Sequence, residues 1–282
     1  MVYYNGLWHL YATTVGVGGI YGMAYLSFTD FESVESGTFY HLDQTPGFDT
    51  YVAAPQLFYF APQGLWYLVF QSGPPMYSTN SDPGNPSGWT RPAPFYASDP
   101  AILGEEGWLD FWVICDEANC YLFFSNDHGR FYRSTTSIAS FPNGFGDPIV
   151  VMEDEEAGRL FEGCNVYRVQ GTGQYLAIIE AFDETSNWDR YFRSWTADSL
   201  DGPWTPLADS GTAPFAGASN VTFDGAAWTN SISHGGVVRA GYDQTMEIDA
   251  CNLRFVYQGH DPNSAGGDYN DIPWRLGLLT LE

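Results

Sequence analysis

Three strand-like runs each set a polar residue among apolar ones: Asp110 in "GWLDFWVICD", Glu162 in "GRLFEGCNVYRV" and His234 in "TNSISHGGVVRA". Two carboxyls and an imidazole are groups that exchange protons and bind cations, so these are the residues at which to look for chemistry. Each run reads as a strand, and each is followed by a second strand-like run of a recurring type. What matters is which arrangement of strands would bring the three to one place.

The recurring run is "GLWHLYAT" at 6–13, which returns as "GLWYLVFQ" at 64–71. It returns more loosely as "NCYLFFSN" (119–126), "GQYLAIIEA" (173–181) and "NLRFVYQG" (252–259). A second signature follows each of the first four: "MAYLSFTDFESV", "MYSTNSDPGNPSGWT", "RFYRSTTSIASF" and "RYFRSWTADSLDGPWT". The fifth copy ends in "PWRLGLLTLE". Aromatic and β-branched runs broken by Gly, Pro, Asn, Asp and Ser are the strand-and-turn signature. A spacing of roughly 55 residues fits one four-stranded antiparallel propeller blade. The last interval is longer, which places an insertion around 220–242 of blade 5. The prediction is an all-β, five-bladed β-propeller, a single domain over residues 1–282. A non-repeating sandwich or barrel is the competing arrangement, and the fixed order of the two signatures argues against it.

The innermost strand of each blade precedes the first signature, and a propeller gathers its ligand site at one end of the axis those strands surround. Asp110, Glu162 and His234 are therefore expected to converge. The chain itself opens on "MVYYNGLWHLYATT", two extended segments around an Asn-Gly turn. Blade 1 is thus read as truncated at its innermost strand, with only "MVYY" of it present.

Acids outnumber bases 34 to 10, for a net charge of −24, and such a surface repels phosphate backbones and anionic lipids. Nucleic-acid and membrane-surface roles are excluded on that ground, whereas a neutral polysaccharide is not repelled. Aromatics make up 17% of residues, and aromatic faces pack on the C–H faces of pyranose rings. An acidic, soluble β protein without sugar-binding function fits the same composition. No stretch is long and apolar enough to span a bilayer, and the N-terminus lacks the basic and apolar regions of a signal peptide. Cys115, Cys120, Cys164 and Cys251 permit two disulfides without demanding any, and the lack of a CxxC gives zinc little support. Asn220-Val221-Thr222 is a glycosylation sequon.

Together, "YNGLWHLYA", "APQLFYFAP", "LFEG", "RYFRSWTADSLDGPWT", "PFAG", "SISHG", "DQTM" and "GDYNDIPWRLGLLTL" resemble the α-L-arabinofuranosidases of glycoside hydrolase family 62, essentially end to end. The resemblance implies a five-bladed propeller that removes single arabinofuranosyl groups from arabinoxylan with inversion. Inversion needs one group to protonate the leaving oxygen and another to activate water on the opposite face. The family's acid motif, LFE and a small residue, falls on Glu162, and such an acid has to keep its proton near neutral pH. The carboxylate that orients the acid and tunes its pKa falls on Asp110. The family's base belongs to a Lys-Asp pair just before the "YNG" turn, where this chain has Met1 to Tyr4 and no Asp. The general base is thus expected to be absent from the chain as given, and the activity impaired. Asp30 and Asp43 lie in the wrong part of the unit to replace it.

By the same resemblance His234 helps to hold a structural calcium, Tyr269 and Asn270 contact the xylan chain, and Arg190 pairs with inner carboxylates. Calcium prefers oxygen ligands, so the histidine assignment rests on the resemblance. Ser72 stands where the family usually has a Trp that stacks on xylose, and Trp112 stands where a smaller residue is common. The remaining carboxylates read as surface: "MEDEEAG" (152–158) as an exposed turn, Asp116 and Glu117 as a turn, and Asp183, Glu184 and Asp189 as the loop of blade 4. The expected partner is arabinoxylan or an arabinose-substituted xylo-oligosaccharide, met outside the cell by a monomer. The alternatives are a related propeller hydrolase, such as an arabinanase or β-xylosidase, and a catalytically silent xylan-binding propeller.

Overall fold

Asn5 and Gly6 both take positive φ, 48° and 81°, and join β1 (Val2–Tyr4) to β2 (Leu7–Val15). That is the two-residue turn an Asn-Gly pair encodes, with Tyr4 opposite Leu7. The computed structural model describes residues 1–16, 18–182, 189–264 and 269–282. The first sheet continues with β3 (Tyr21–Phe28) and β4 (Thr38–His41). The second comprises β5 (Ala53–Phe60), β6 (Leu65–Gln71), β7 (Pro75–Asn80) and β8 (Ala93–Pro94). Then come β9 (Leu109–Cys115), β10 (Asn119–Ser125), β11 (Arg130–Ser137) and β12 (Ile149–Glu153). They are followed by β13 (Glu162–Val169), β14 (Tyr175–Phe182), β15 (Arg190–Ala197), β16 (Thr205–Ser210) and β17 (Ala213–Pro214). The last are β18 (Ser233–Val237), β19 (Glu247–Ile248), β20 (Arg254–Gly259) and β21 (Arg275–Thr280).

These strands form five sheets, and in each of the first three neighbouring strands follow chain order: β1-β2-β3-β4, β5-β6-β7-β8 and β9-β10-β11-β12. The fourth runs β17-β16-β15-β14-β13-β19, so a two-residue strand from later in the chain joins beside β13. The fifth is β18-β20-β21 among the described residues. The meander within each sheet is the blade of a five-bladed propeller. Residues 218–232 contain no strand, which is where the sequence places an insertion.

The recurring run forms the second strand of each blade. β6, β10 and β14 are buried along almost their whole length, which is why they read as continuous apolar stretches and not as alternating ones. The strand before it carries a repeated irregularity. Ala54, Asp110 and Gly163, each second in its strand, have φ of 52°, 56° and 63°. Register shifts between Ala53 and Gln56, between Glu162 and Asn165, and between Ser233 and Gly235 mark bulges at this point. A bulge re-aims the side chains beside it, and bulges are common next to active sites.

The chain forms two compact units: residues 1–122, 134–148 and 239–247, and residues 123–133, 149–238 and 248–282. The first packs Val2, Tyr11, Met23, Phe48, Leu57 and Trp66 into its core. There Gln56 acts as a substitute peptide: its Nε2 donates to the Val113 carbonyl at 2.7 Å and its Oε1 accepts from the Val113 N–H at 2.8 Å. The second buries Val166, Tyr167, Ile178, Ile179, Phe192 and Phe255, with the last two rings edge to face at 5.1 Å. Asn165, at the position of Gln56 in its own strand, donates to the Gly235 carbonyl at 2.9 Å. Cys115 and Cys120 form a disulfide across the β9–β10 turn, Cys164 is a buried free thiol and Cys251 an exposed one.

Candidate active site

Glu162 is the first residue of β13, and its register partner on β14 is Glu180. Two carboxylates face to face across a strand pair repel unless something stands between them. Here it is Arg190, first residue of β15, whose Nη1 lies 3.0 Å from Glu162 Oε1 and 3.4 Å from Glu180 Oε1. The guanidinium also lies over the rings of Phe161, at 4.6 Å, and Phe182, at 5.2 Å, which supply a low-dielectric face well suited to a cation. Burial works against its charge, but Glu180 and Glu162 outweigh that and hold the pKa above its ordinary value.

Glu180 is fully buried, and both its oxygens are used. Oε1 accepts from Ser233 Oγ at 2.9 Å, and Oε2 accepts from the His234 N–H at 2.7 Å. The His234 ring follows its backbone: Nδ1 is 3.1 Å from Glu180 Oε2 and 4.0 Å from Glu162 Oε1. Burial alone would raise the Glu180 carboxyl, yet His234, by charge and hydrogen bond, and then Arg190 bring it below the ordinary carboxylate value. The bulge at the start of β13 explains why a small residue must follow the glutamate. Gly163 has φ of +63°, and a Cβ there would sit 3.2 Å from Glu180 Oε2 and 3.3 Å from Glu180 Cβ.

Tyr269 and Asn270 occupy a 3-10 turn, Tyr269–Asp271. Tyr269 is 42% exposed, but its hydroxyl feels this cluster. Desolvation pushes the phenol up to about 12; His234 and Arg190 oppose the rise, and Glu162 and Glu180 add to it. Glu162, Arg190, His234 and Tyr269 are thus brought together in the second unit. Asp189, beside Arg190, is half-buried, its carboxyl raised by burial and lowered in part by His260. Asp183 and Glu184 lie outside the described residues.

Asp110 belongs to the first unit, in β9. It is buried, with its N–H donating to Gln71 Oε1 at 2.9 Å. A non-glycine residue at φ +56° is unusual and costly, and Asp tolerates it better than most. Ser72 Oγ donates to the Tyr51 carbonyl at 2.7 Å, so this position ties down a loop. The run "MEDEEAG" is more than a turn: Glu153 ends β12 and pairs with Arg130 at 2.9 Å, and Asp154 Oδ2 takes Arg193 Nη1 at 3.1 Å. Asp116 does cap a turn, accepting from the Ala118 and Asn119 N–H groups at 2.8 and 2.7 Å. Asn220 Oδ1 accepts from the Gly217 N–H at 2.9 Å, and its Nδ2 donates to the Pro214 carbonyl at 3.0 Å, so the sequon amide is committed to its own loop.

Glu180 is the residue that sequence reasoning passes over. It lies inside the recurring run "GQYLAIIEA", where it reads as part of the blade signature. The available signal is its company: a carboxylate among Ile178, Ile179 and Ala181 is costly to bury unless cations meet it.

The family model for glycosyl hydrolase family 62 matches residues 1–280. The chain belongs to glycosyl hydrolase family 62. Over 285 residues it is 42% identical to alpha-L-arabinofuranosidase C of Cellvibrio japonicus (strain Ueda107), a match that takes in all of this chain. The chain spans 43% of the length of that relative. The catalytic domain of the Coprinopsis cinerea family 62 α-L-arabinofuranosidase is 53% identical and superposes with a TM-score of 0.95, covering 99% of this chain and 88% of that one. PaAbf62A of Podospora anserina, an α-L-arabinofuranosidase solved in complex with cellotriose, is 48% identical with a TM-score of 0.94 over 99% and 88% of the two chains. The all-β, five-bladed arrangement is therefore that of family 62, and the chain is a member of a glycoside hydrolase family.

Calcium takes six to eight oxygen ligands. In the second unit His234 offers a ring nitrogen, and the carboxylates nearest it already face Arg190 and Ser233. Glu162 and His234 offer a carboxylate oxygen and a ring nitrogen within 4.8 Å of one another, donors that would hold a calcium with water oxygens filling its shell, and no step is routed through such an ion.

Proposed function

We propose that this chain is an α-L-arabinofuranosidase that releases arabinofuranosyl side chains from arabinoxylan by inverting hydrolysis. The match to family 62 over residues 1–280 carries the reading. Glu162 is the general acid, giving its proton to the leaving glycosidic oxygen while a base activates water on the opposite face of the sugar. Asp110 is the carboxylate that orients the acid and tunes it. The base is assigned to none of the residues described above. Arg190 Nη1 holds Glu162 through Oε1 at 3.0 Å. Tyr269 and Asn270 contact the xylan chain, the exposed Tyr269 ring being a suitable face for a sugar. The site is read as working outside the cell, where arabinoxylan lies, in a monomeric protein.

The test is arabinose release from arabinoxylan, followed by the anomeric configuration of the first product, with Glu162→Gln as control. Release of β-arabinofuranose that the control abolishes supports the reading. Loss of a general acid typically costs 10²–10⁴-fold, roughly, on a natural leaving group. Xylan binding without release refutes the hydrolase reading and leaves a binding protein.

A further inference from the structure

Glu180 has no part in the reaction as proposed, yet it is the most buried charge of the cluster. Its four polar contacts come from two strands: Ser233 and His234 on β18, and Arg190 on β15. Each of the two groups it holds also reaches Glu162, Arg190 Nη1 at 3.0 Å and His234 Nδ1 at 4.0 Å. We infer that Glu180 is a positioning residue: a buried anionic strut that fixes the Arg190 guanidinium and the His234 ring in the orientation each presents to Glu162.

The geometry argues for this in three ways. One arginine nitrogen is divided between two carboxylates, so Glu162 receives a single contact from a group able to give it a two-pronged one. Without the negative charge at 180, nothing of that strength draws the guanidinium back, and it closes on Glu162. The His234 ring is oriented from behind by the same carboxylate that accepts its own N–H, so ring and backbone are set together. Finally, the strut is tightly held: it is fully buried, and a Cβ at the bulged Gly163 would press on it at 3.2 Å. Buried, fully bonded partners of this kind are what hold a reacting group to within fractions of an ångström.

The inference rests on the hydrolase reading for its kinetic consequence but not for its structural one, and the test uses both. Glu180→Gln keeps size and one acceptor and removes the charge. Its crystal structure should show Arg190 closed onto Glu162 with two contacts and the His234 ring turned. On arabinoxylan, kcat should fall by roughly 10–100-fold with KM changed less than about twofold. A nitrophenyl arabinofuranoside, whose phenolate leaves with little protonation, should lose less than about threefold. Glu180→Asp should recover part of the loss on arabinoxylan. If Gln at 180 prevents folding, the Asp variant carries the same comparisons. Arg190 and His234 unmoved in the variant structure, or equal losses on both substrates in step with the folded fraction, would overturn the inference. If the unaltered chain hydrolyses neither substrate, the hydrolase reading fails, and the variant structure alone still decides whether Glu180 positions its neighbours.

Discussion

Replacing Arg190 with Met tests the electrostatic reasoning at its centre. The guanidinium stands between Glu162 and Glu180, with side chains of Arg190 and Glu162 13% exposed and that of Glu180 not exposed at all. At an effective dielectric of about 20, the 3.4 Å contact to Glu180 is an attraction near ~5 kcal/mol. Losing the burial cost of Arg190 itself returns part of that, and a Met between Phe161 and Phe182 keeps favourable sulfur–ring contact. What remains is a fully buried, half-neutralised carboxylate, and breaking such a pair costs about 3–5 kcal/mol. At about 2 °C per kcal/mol for a chain of this size, Arg190→Met should melt roughly 6–10 °C lower at pH 7. Adding Glu180→Gln should return about 2–3 kcal/mol of the loss, because the charge left stranded is gone. The sign with pH follows from the lowered Glu180 carboxyl. Its stabilising share is fully present above the ordinary glutamate value of 4.5 and disappears as pH falls through the lower native value. The gap in melting temperature between variant and parent should therefore close on acidification below that point. A variant within about 1 kcal/mol of the parent at pH 7, or costs that simply add in the double variant, would refute the argument.

Gln56→Ala should destabilise by about 2–6 kcal/mol in urea, since it strands both the Val113 N–H and its carbonyl at about 1–3 kcal/mol each; a loss under ~1 kcal/mol would mean water takes over both bonds. Gly163→Ala should cost about 1–3 kcal/mol from its positive φ alone, and it should lower arabinose release further by pushing on Glu180; unchanged activity would show that the strut tolerates displacement. In an alkaline absorbance titration, the difference between the parent and Tyr269→Phe should appear near pH 12 rather than 10, because the native phenol keeps its proton up to about 12. Between those values the folded state binds the extra proton, so stability falls as pH rises; a difference centred at 10 would mean that the ring is free in solvent.

The blades are legible in sequence because their second strands keep the recurring run, apolar on both faces in β6, β10 and β14 and alternating in β2 and β20, while loops vary. The Asn5-Gly6 turn is legible for an equally local reason, since two adjacent positive φ values leave few other choices. Glu162 and Arg190 emerge by resemblance, and the pairing expected of Arg190 is present at 3.0 Å. The pairing also goes further, to Glu180, which no local pattern reveals: its partners sit 10 residues on in Arg190 and 53 and 54 residues on in Ser233 and His234. His234 reads from the sequence as a cation ligand, and in the fold its N–H and ring also lie against the Glu180 carboxylate. The positive φ values at Ala54, Asp110 and Gly163 are equally out of reach, because only one of the three is a glycine. Asp154 looks like surface charge in "MEDEEAG" and becomes an arginine's partner because Arg193, 39 residues later, is itself buried.

The two compact units are interleaved along the chain, and this dictates an order of assembly during synthesis. The first unit lacks residues 239–247 until most of the chain has been made, and the stretch 123–133 of the second emerges long before residues 149–238 that complete it. At about 5–20 residues per second, a ribosome needs roughly 6–25 s to go from residue 122 to residue 247. Throughout that interval the nascent chain holds finished hairpins but neither finished unit, so its apolar second strands wait for partners not yet translated. Chaperone demand should therefore peak late in synthesis, and no stop placed between the units can release one of them whole.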